Sequence, residues 1–497
     1  MANRVAAPNL FAPSPPNWSL AQLDANAQNA TGAINDSSLG SVNGPLSDTG
    51  SANAYSVACT YGTPSAYNNG MTVFFNPGNT NTGASTLTVS PLSSLSIVSA
   101  TGAALTGGEI VAGSTIGVVC DGSAFRIISQ PVVPQITAVR LRSYNAIGNP
   151  NFEVDQRNVG AVVAVAAGTG SAWVGDRWSF AKSAATATFS TQQAANVPIT
   201  IPGTNFAITS ATANIKLTAV QASLAAGEYI QLIQTVEGSA FRELSSDVHS
   251  VSLLVKCSSA PVTFSLAITS GATPYYTLTK LFTLSTTNWT LITFPNLPLW
   301  TSSTTWSNLP GNVAYYLRIG LGSGTTNTSG ANDVWTAGSF ICGPGTTNFA
   351  SLPLNTFFQA AFVQHEPGPL CTTLMDRPFS VAYDEALRYY QKSYDYPTAI
   401  GTNTPNGLAA FVAHGTATIT NVAGPLRFPK IMAKSPTVTL YNDSTGVAGS
   451  VRDGSGTAHT GATAGGIGGS GFYNIGGLTP GVASNWIQFH YTADTGW

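Results

Sequence analysis

Val251–Cys257 (VSLLVKC) and Val262–Ile268 (VTFSLAI) are two short apolar, β-branched runs separated by Ser258-Ser259-Ala260-Pro261. Each is bounded by turn residues, the pattern of strands buried in a sheet. The same reading extends outward to Tyr229–Val236, Trp289–Phe294 and Tyr315–Leu321. Turns rich in Gly, Pro, Asn and Thr separate these runs. Between Asn149 and Glu366 no helical period lasts more than one or two turns. Strands at this spacing predict an all-β chain whose body is a two-sheet sandwich of jelly-roll type.

Towards the N-terminus, Tyr55, Val57, Cys59 and Tyr61 alternate with small polar residues. So do Met71, Val73 and Phe75, then Leu87 and Val89, then Leu95 and Ile97. Period two predicts half-buried strands, hence a small β module over residues 51–131. Residues 131–143 hold two prolines and no clear turn, and 132–148 read as a linker. Residues 1–18 are rich in Pro and Asn and read as an extended arm. A short helix follows. Ser19 to Gln22 fits a capping box, and Leu20, Leu23, Ala27, Ala30 and Ile34 recur at helical spacing. Such a helix is marginal alone in water. Its apolar stripe asks for a partner, so residues 1–50 are expected to be an attachment segment.

Towards the C-terminus, the body runs over 149–400. Phe379–Tyr394 interrupts the strands with a predicted helix, its face formed by Tyr383, Leu387, Tyr390 and Tyr394, with Asp384 and Arg388 spaced as an i,i+4 ion pair. Strands resume through Phe411–Thr420, Val438–Tyr441 and Ile487–Tyr491. Residues 401–497 are either a separate β region or the completion of the sandwich.

Only 8% of the 497 residues are charged and the net charge is −2, against about 25% charged in ordinary soluble domains. Phosphate binding needs clustered Lys and Arg, so no nucleic acid partner is expected. The longest apolar run, Ala161–Ala167, is far shorter than the ~20 residues of a membrane-spanning helix. Membrane insertion is therefore not expected. The first residues lack a continuous apolar core, so no signal peptide is read and assembly is expected in the cytoplasm. The five cysteines are widely spaced with no paired ligands, which argues against a metal site and for reduced thiols on strands. Cys59 and Cys120 fall in one module, and a contact between them stays open.

The motifs bracket the body. Asn149–Arg157 reads NPNFEVDQR, Trp173–Phe180 reads WVGDRWSF, and Ala386–Tyr396 reads ALRYYQKSYDY. The first two resemble the NxxF-x-QR and DRW signature of a β-sandwich module of bacteriophage tail-fibre and receptor-binding proteins. RYYQKS is similar to a segment of the same proteins in which a Cys often precedes the Arg; here Leu387 stands there. The family motif commonly runs on into strands such as Lys434–Val451 (KSPTVTLYNDSTGVAGSV). Asn79–Val89 followed by Gly107–Ile128 resembles a small module in the N-terminal halves of tail fibres, and Asn17–Asn26 is similar to the WxxxxLDAN segment that precedes it. The resemblance implies a virion protein, anchored to other tail or head proteins through residues 1–50. Self-complementary surfaces and sparse charge lead us to expect a homotrimer.

Catalytic signals are thin. Sugar cleavage needs two facing carboxylates; Glu153 with Asp155 and Asp384 with Glu385 are the close pairs, and the first sits in the structural motif while the second reads as an exposed helix face. The five histidines lack metal or metalloprotease spacing, and no GxSxG occurs. Gly465–Gly471 (GGIGGSG) reads as a turned loop rather than a phosphate cradle. Neither an enzyme nor a cofactor is expected. Sugars stack on Trp and Tyr, and turn-rich segments place Trp300, Trp306 and Trp335 as candidate glycan-binding residues; burial in the core is the competing reading for each. Trp178 and Trp289 lie in strand patterns and read as core. A tail fibre touching host surface glycan, a structural head-vertex fibre or decoration protein without receptor, and a glycan depolymerase are the readings that remain.

Overall fold

The computed structural model describes residues 45–59, 64–128, 144–200, 202, 207–245, 248–412, 419–482 and 486–497. The expected N-terminal arm and helix, and most of the expected linker, lie outside them. The chain divides into two compact units, Met1–Leu141 and Arg142–Trp497.

In the first unit one seven-stranded sheet runs in the order Leu46–Ser47, Thr72–Asn76, Ile116–Cys120, Phe125–Ile127, Leu95–Val98, Ser85–Ser90, Ala54–Ala58. Among the described residues, which exclude Tyr61, the expected alternation holds. Tyr55, Val57, Val73, Phe75, Leu87, Val89 and Ile97 all point into one core. Loops are tied by carboxylates: Glu109 accepts from the amides of Thr106 and Gly107 and from Asn81. These bonds outweigh burial and lower its pKa to about 2.

The second unit holds the sandwich. One sheet runs Trp335–Ala337, Tyr276–Leu284, Val262–Ser270, Val313–Ser323, Tyr229–Glu237, Ser179–Ala184, Gly168–Trp173. The facing sheet runs Thr290–Leu297, His249–Cys257, Phe357–Pro367, Ala207–Ala219, Thr188–Thr200, Val163–Val165. Every pairing within the two sheets is antiparallel. Their inner faces share one core that includes Trp178, Phe180, Phe189, Phe264, Leu317 and Phe358. Trp289 packs, half-buried, on a smaller cluster with Leu254 and Phe362. Tyr144–Gly148, placed in the linker by the sequence, instead belong to the body: Ala146 and Ile147 are buried in its core, and Ala146 N donates to His365 O at 2.9 Å. The five cysteines are free thiols.

The described residues between 409 and 493 build a core of their own around Phe411, Phe472, Ile487 and Phe489. Its central strand, Trp486–Asp494, pairs with Tyr390–Lys392, Ala409–Val412, Thr437–Tyr441 and Ser450–Asp453. Beside it, Val422–Arg427, Gly471–Gly476 and Thr463–Gly465 form a small sheet, and the glycine-rich stretch is the hairpin loop between its last two strands. The expected helix over 379–394 is corrected: it spans only Phe379–Ala386. Tyr390–Lys392 is a strand instead, because three consecutive buried residues find their backbone partners in the Trp486–Asp494 ladder. The expected Asp384–Arg388 pair is absent as well. Asp384 meets Lys430, and Arg388 reaches back to Glu237.

Candidate functional site

The three motif segments meet in space. Asn149, at φ +47°, donates from its side chain to the carbonyls of Val154 and Asp176, both at 2.8 Å. Its own carbonyl accepts from the Trp178 indole at 3.1 Å, and the Phe152 and Trp178 rings lie 5.0 Å apart. Gly175 adopts φ +111°, where a Cβ would meet Val154 O at 3.3 Å, so the turn before Asp176 needs glycine. Gln156 donates to Asp176 at 2.6 Å and to Tyr390 O at 3.2 Å. Lys392 donates to the carbonyls of Gln156, Tyr396 and Thr398. Burial lowers its pKa to about 8, with Asp176 and Asp155 opposing.

Arg157 closes the knot. Its guanidinium lies 3.9 Å from the Trp173 ring centroid and 4.0 Å from that of Tyr390. It forks onto both carboxylate oxygens of Asp494 and stands 3.7 Å from Asp176. Burial raises Asp176 to about 7, and the nearby Arg157 only partly offsets this. Across the same seam Glu237 accepts from Arg388 at 2.5 and 2.9 Å, from the Tyr389 hydroxyl at 2.6 Å and from Gly311 N at 2.6 Å. Burial alone would raise this carboxyl; the four donors bring it down to about 2.

Above Arg157 opens a cleft of about 580 Å³, within the ~300–1,000 Å³ of small-molecule sites. Strand alternation builds its floor. Thr437, Thr439 and Tyr441 share one face of their strand, while Leu440 on the other face enters the core. Thr439 stands opposite Thr492, and Asp494 lies between Thr437 and Tyr390 in the ladder. Trp173, Asn158 and the exposed Lys434 and Ser435 line it further, with Ile400, Thr495 and Gly496. Asn158 holds the Trp173 carbonyl at 2.8 Å. Tyr390 is 3% exposed, and its hydroxyl has no hydrogen-bond partner among the described residues. A buried unpaired hydroxyl costs about 1–3 kcal/mol.

The three expected stacking residues also come together, but in a different setting. Trp300, Trp306 and Trp335 lie within 4.8–5.8 Å of one another, half-buried against the sandwich core with Phe241. Their indole N–H groups donate to the backbone carbonyls of Leu244, Thr301 and Leu299. Trp300 stacks on His249 at 4.2 Å and 15°, capping a buried chain in which Tyr315 bonds His365 at 2.7 Å and His365 bonds His249 at 2.9 Å. The ring faces are thus largely occupied by neighbouring rings.

Three of the four acidic residues, Asp155, Asp384 and Glu385, are likewise engaged. Asp155 is 1% exposed and accepts from the amides of Asn158 and Gly160. Asp384 meets Lys430, and Glu385 meets Arg377.

No family model matches the chain, and no curated protein matches it in sequence. Among solved structures it is similar to a CBM4 structure, with 13% identity and a TM-score of 0.21, over 44% of this chain and 99% of that one. It is similar to the family 11 carbohydrate-binding module from Clostridium thermocellum, with 10% identity and a TM-score of 0.21, over 41% and 98%. It is also similar to discoidin II of Dictyostelium discoideum, with 12% identity and a TM-score of 0.14, over 55% and 79%. At these scores the likenesses carry no argument about what this chain binds.

Proposed function

We propose that this chain is a bacteriophage virion fibre, of the tail-fibre kind, that holds host surface glycan without cleaving it. The cleft above Arg157 is the observation that carries the binding half of this reading. It combines the half-buried rings of Trp173 and Tyr441 with threonine hydroxyls and an asparagine amide, the chemistry that stacks on sugar C–H faces and bonds sugar hydroxyls. The motif resemblance supports the virion half. The engagement of Asp155, Asp384 and Glu385 supports binding over cleavage.

The test is adsorption of the purified chain to host polysaccharide. Retention that soluble polysaccharide competes away, with no reducing ends released, supports the proposal. No retention favours a structural head-vertex fibre or decoration protein, and release of reducing ends favours a depolymerase. The same reading has the chain trimeric and attached through residues 1–50. A monomer at micromolar concentration in sedimentation removes the trimer. Full incorporation of a chain lacking residues 1–36 into virions removes the anchor.

A further inference from the structure

We infer that the saccharide taken by the cleft carries a carboxylate, received by Lys434; this rests on the glycan reading above. Two of the charges that line the cleft cancel, since Arg157 and Asp494 pair with each other. Asp176, the second acid near Arg157, is buried at 1% exposure. Lys434 is the exception. It is exposed, forms no ion pair with any described residue, and holds its ammonium 4.7 Å from the Trp497 ring centroid. A cation resting on an aromatic face is partly positioned and keeps N–H donors free for a ligand.

The neighbours of Lys434 favour a sugar acid over a bare anion. Ser435, Thr437, Thr439 and Thr492 can both donate and accept, matching ring hydroxyls. No second unpaired cation lines the cleft among the described residues, so one negative charge matches it.

The test uses the full chain and a panel of uronic- and sialic-acid oligosaccharides, each beside its methyl ester, which keeps linkage and rings and removes the charge. The acid form should bind about three- to fivefold more tightly at low salt, the range of one exposed ion pair. That advantage should shrink as salt rises, vanish in Lys434→Ala and persist in Lys434→Arg. Lys434 is exposed, so a melting curve should show Lys434→Ala folded. Equal binding of acid and ester, or an acid preference that survives Lys434→Ala, overturns the inference and leaves the glycan reading standing. Binding of no saccharide in either form overturns both.

Discussion

Arg157 and Asp494 stand 337 positions apart and meet as a two-pronged ion pair. One ends the opening motif and the other ends the strand Trp486–Asp494, so the pair fastens the sandwich to the C-terminal β region. Because the guanidinium also lies between Trp173 and Tyr390, the same contact positions two walls of the cleft.

Asp494→Asn should therefore destabilise the chain. The arginine side chain is 6% exposed and would keep only Asp176, at 3.7 Å, as a counter-charge. Breaking a fully buried pair costs about 3–5 kcal/mol. Asp494 is 30% exposed, which reduces the expected loss to about 2 kcal/mol. Urea unfolding monitored by tryptophan fluorescence measures it, and a loss under about 0.5 kcal/mol would show that the pair adds no net stability.

Glu237→Gln tests the second tie of the seam. The carboxyl is lowered to about 2 in the folded chain from its ordinary value of about 4.3. A lowered acid contributes stability that is present above the unfolded value and lost as pH falls through the folded one. The substitution should cost about 3 kcal/mol at pH 7, consistent with a shift of roughly two units at 1.36 kcal/mol each. The difference between native and variant chains should narrow between pH 4.5 and 2. A difference independent of pH would contradict the ionic role.

The two buried histidines titrate with the opposite sign. Burial lowers His249 to about 4, and it lowers His365 well below its ordinary range, with His249 adding to the effect. His249 Nε2 faces Pro298 O at 3.2 Å. That acceptor fixes the direction of the chain: His249 donates to Pro298, His365 Nε2 donates to His249, and Tyr315 donates to His365. Both rings are then neutral. Below about pH 6.5 the unfolded chain takes up protons that these rings refuse, so they destabilise the fold as pH falls towards 4. Asp176, raised to about 7, acts the other way over the same window, and two imidazoles outweigh one carboxyl. Histidine ring shifts in NMR should stay constant from pH 8 to 5 for both residues. Titration of either ring near pH 6.5 would refute the neutral chain.

Much of the fold is legible in the sequence because period-two alternation reports burial directly. Tyr55, Val57 and Val73, or Leu253 and Val255, are in the core where the pattern puts them. The pattern predicts a helix as far as 394 because Tyr383, Leu387, Tyr390 and Tyr394 fall at helical spacing. What ends the helix at Ala386 is remote: the ladder to Thr492–Asp494 and the Glu237 carboxylate that takes Arg388 and Tyr389. The cleft was hidden for the same reason. Thr437, Thr439 and Tyr441 alternate visibly within TVTLY, yet nothing local says that their open face looks onto Trp173 and Arg157. The aromatic loops around Trp300 stood out locally, and their engagement with Leu244, Leu299 and Thr301 carbonyls is visible only in three dimensions.

Two substitutions separate these aromatic groups. Trp306→Ala removes a ring packed on Phe241, Trp300 and Trp335 and abandons a part-buried bond to Thr301 O. Core aromatic truncations cost about 3–5 kcal/mol; for a half-buried ring we expect about 3, with glycan affinity nearly unchanged. Tyr441→Ala should do the reverse. This half-buried ring lines the cleft, and its aromatic neighbour Tyr394 is 6.4 Å away, so little packing is lost. By analogy with bases stacked on aromatic side chains, its loss should weaken binding by about 1–2 kcal/mol, or roughly tenfold. Melting temperature and polysaccharide affinity measured on both variants decide the matter: if Trp306→Ala lost the affinity and kept the stability, the glycan would belong on the tryptophan cluster rather than in the cleft.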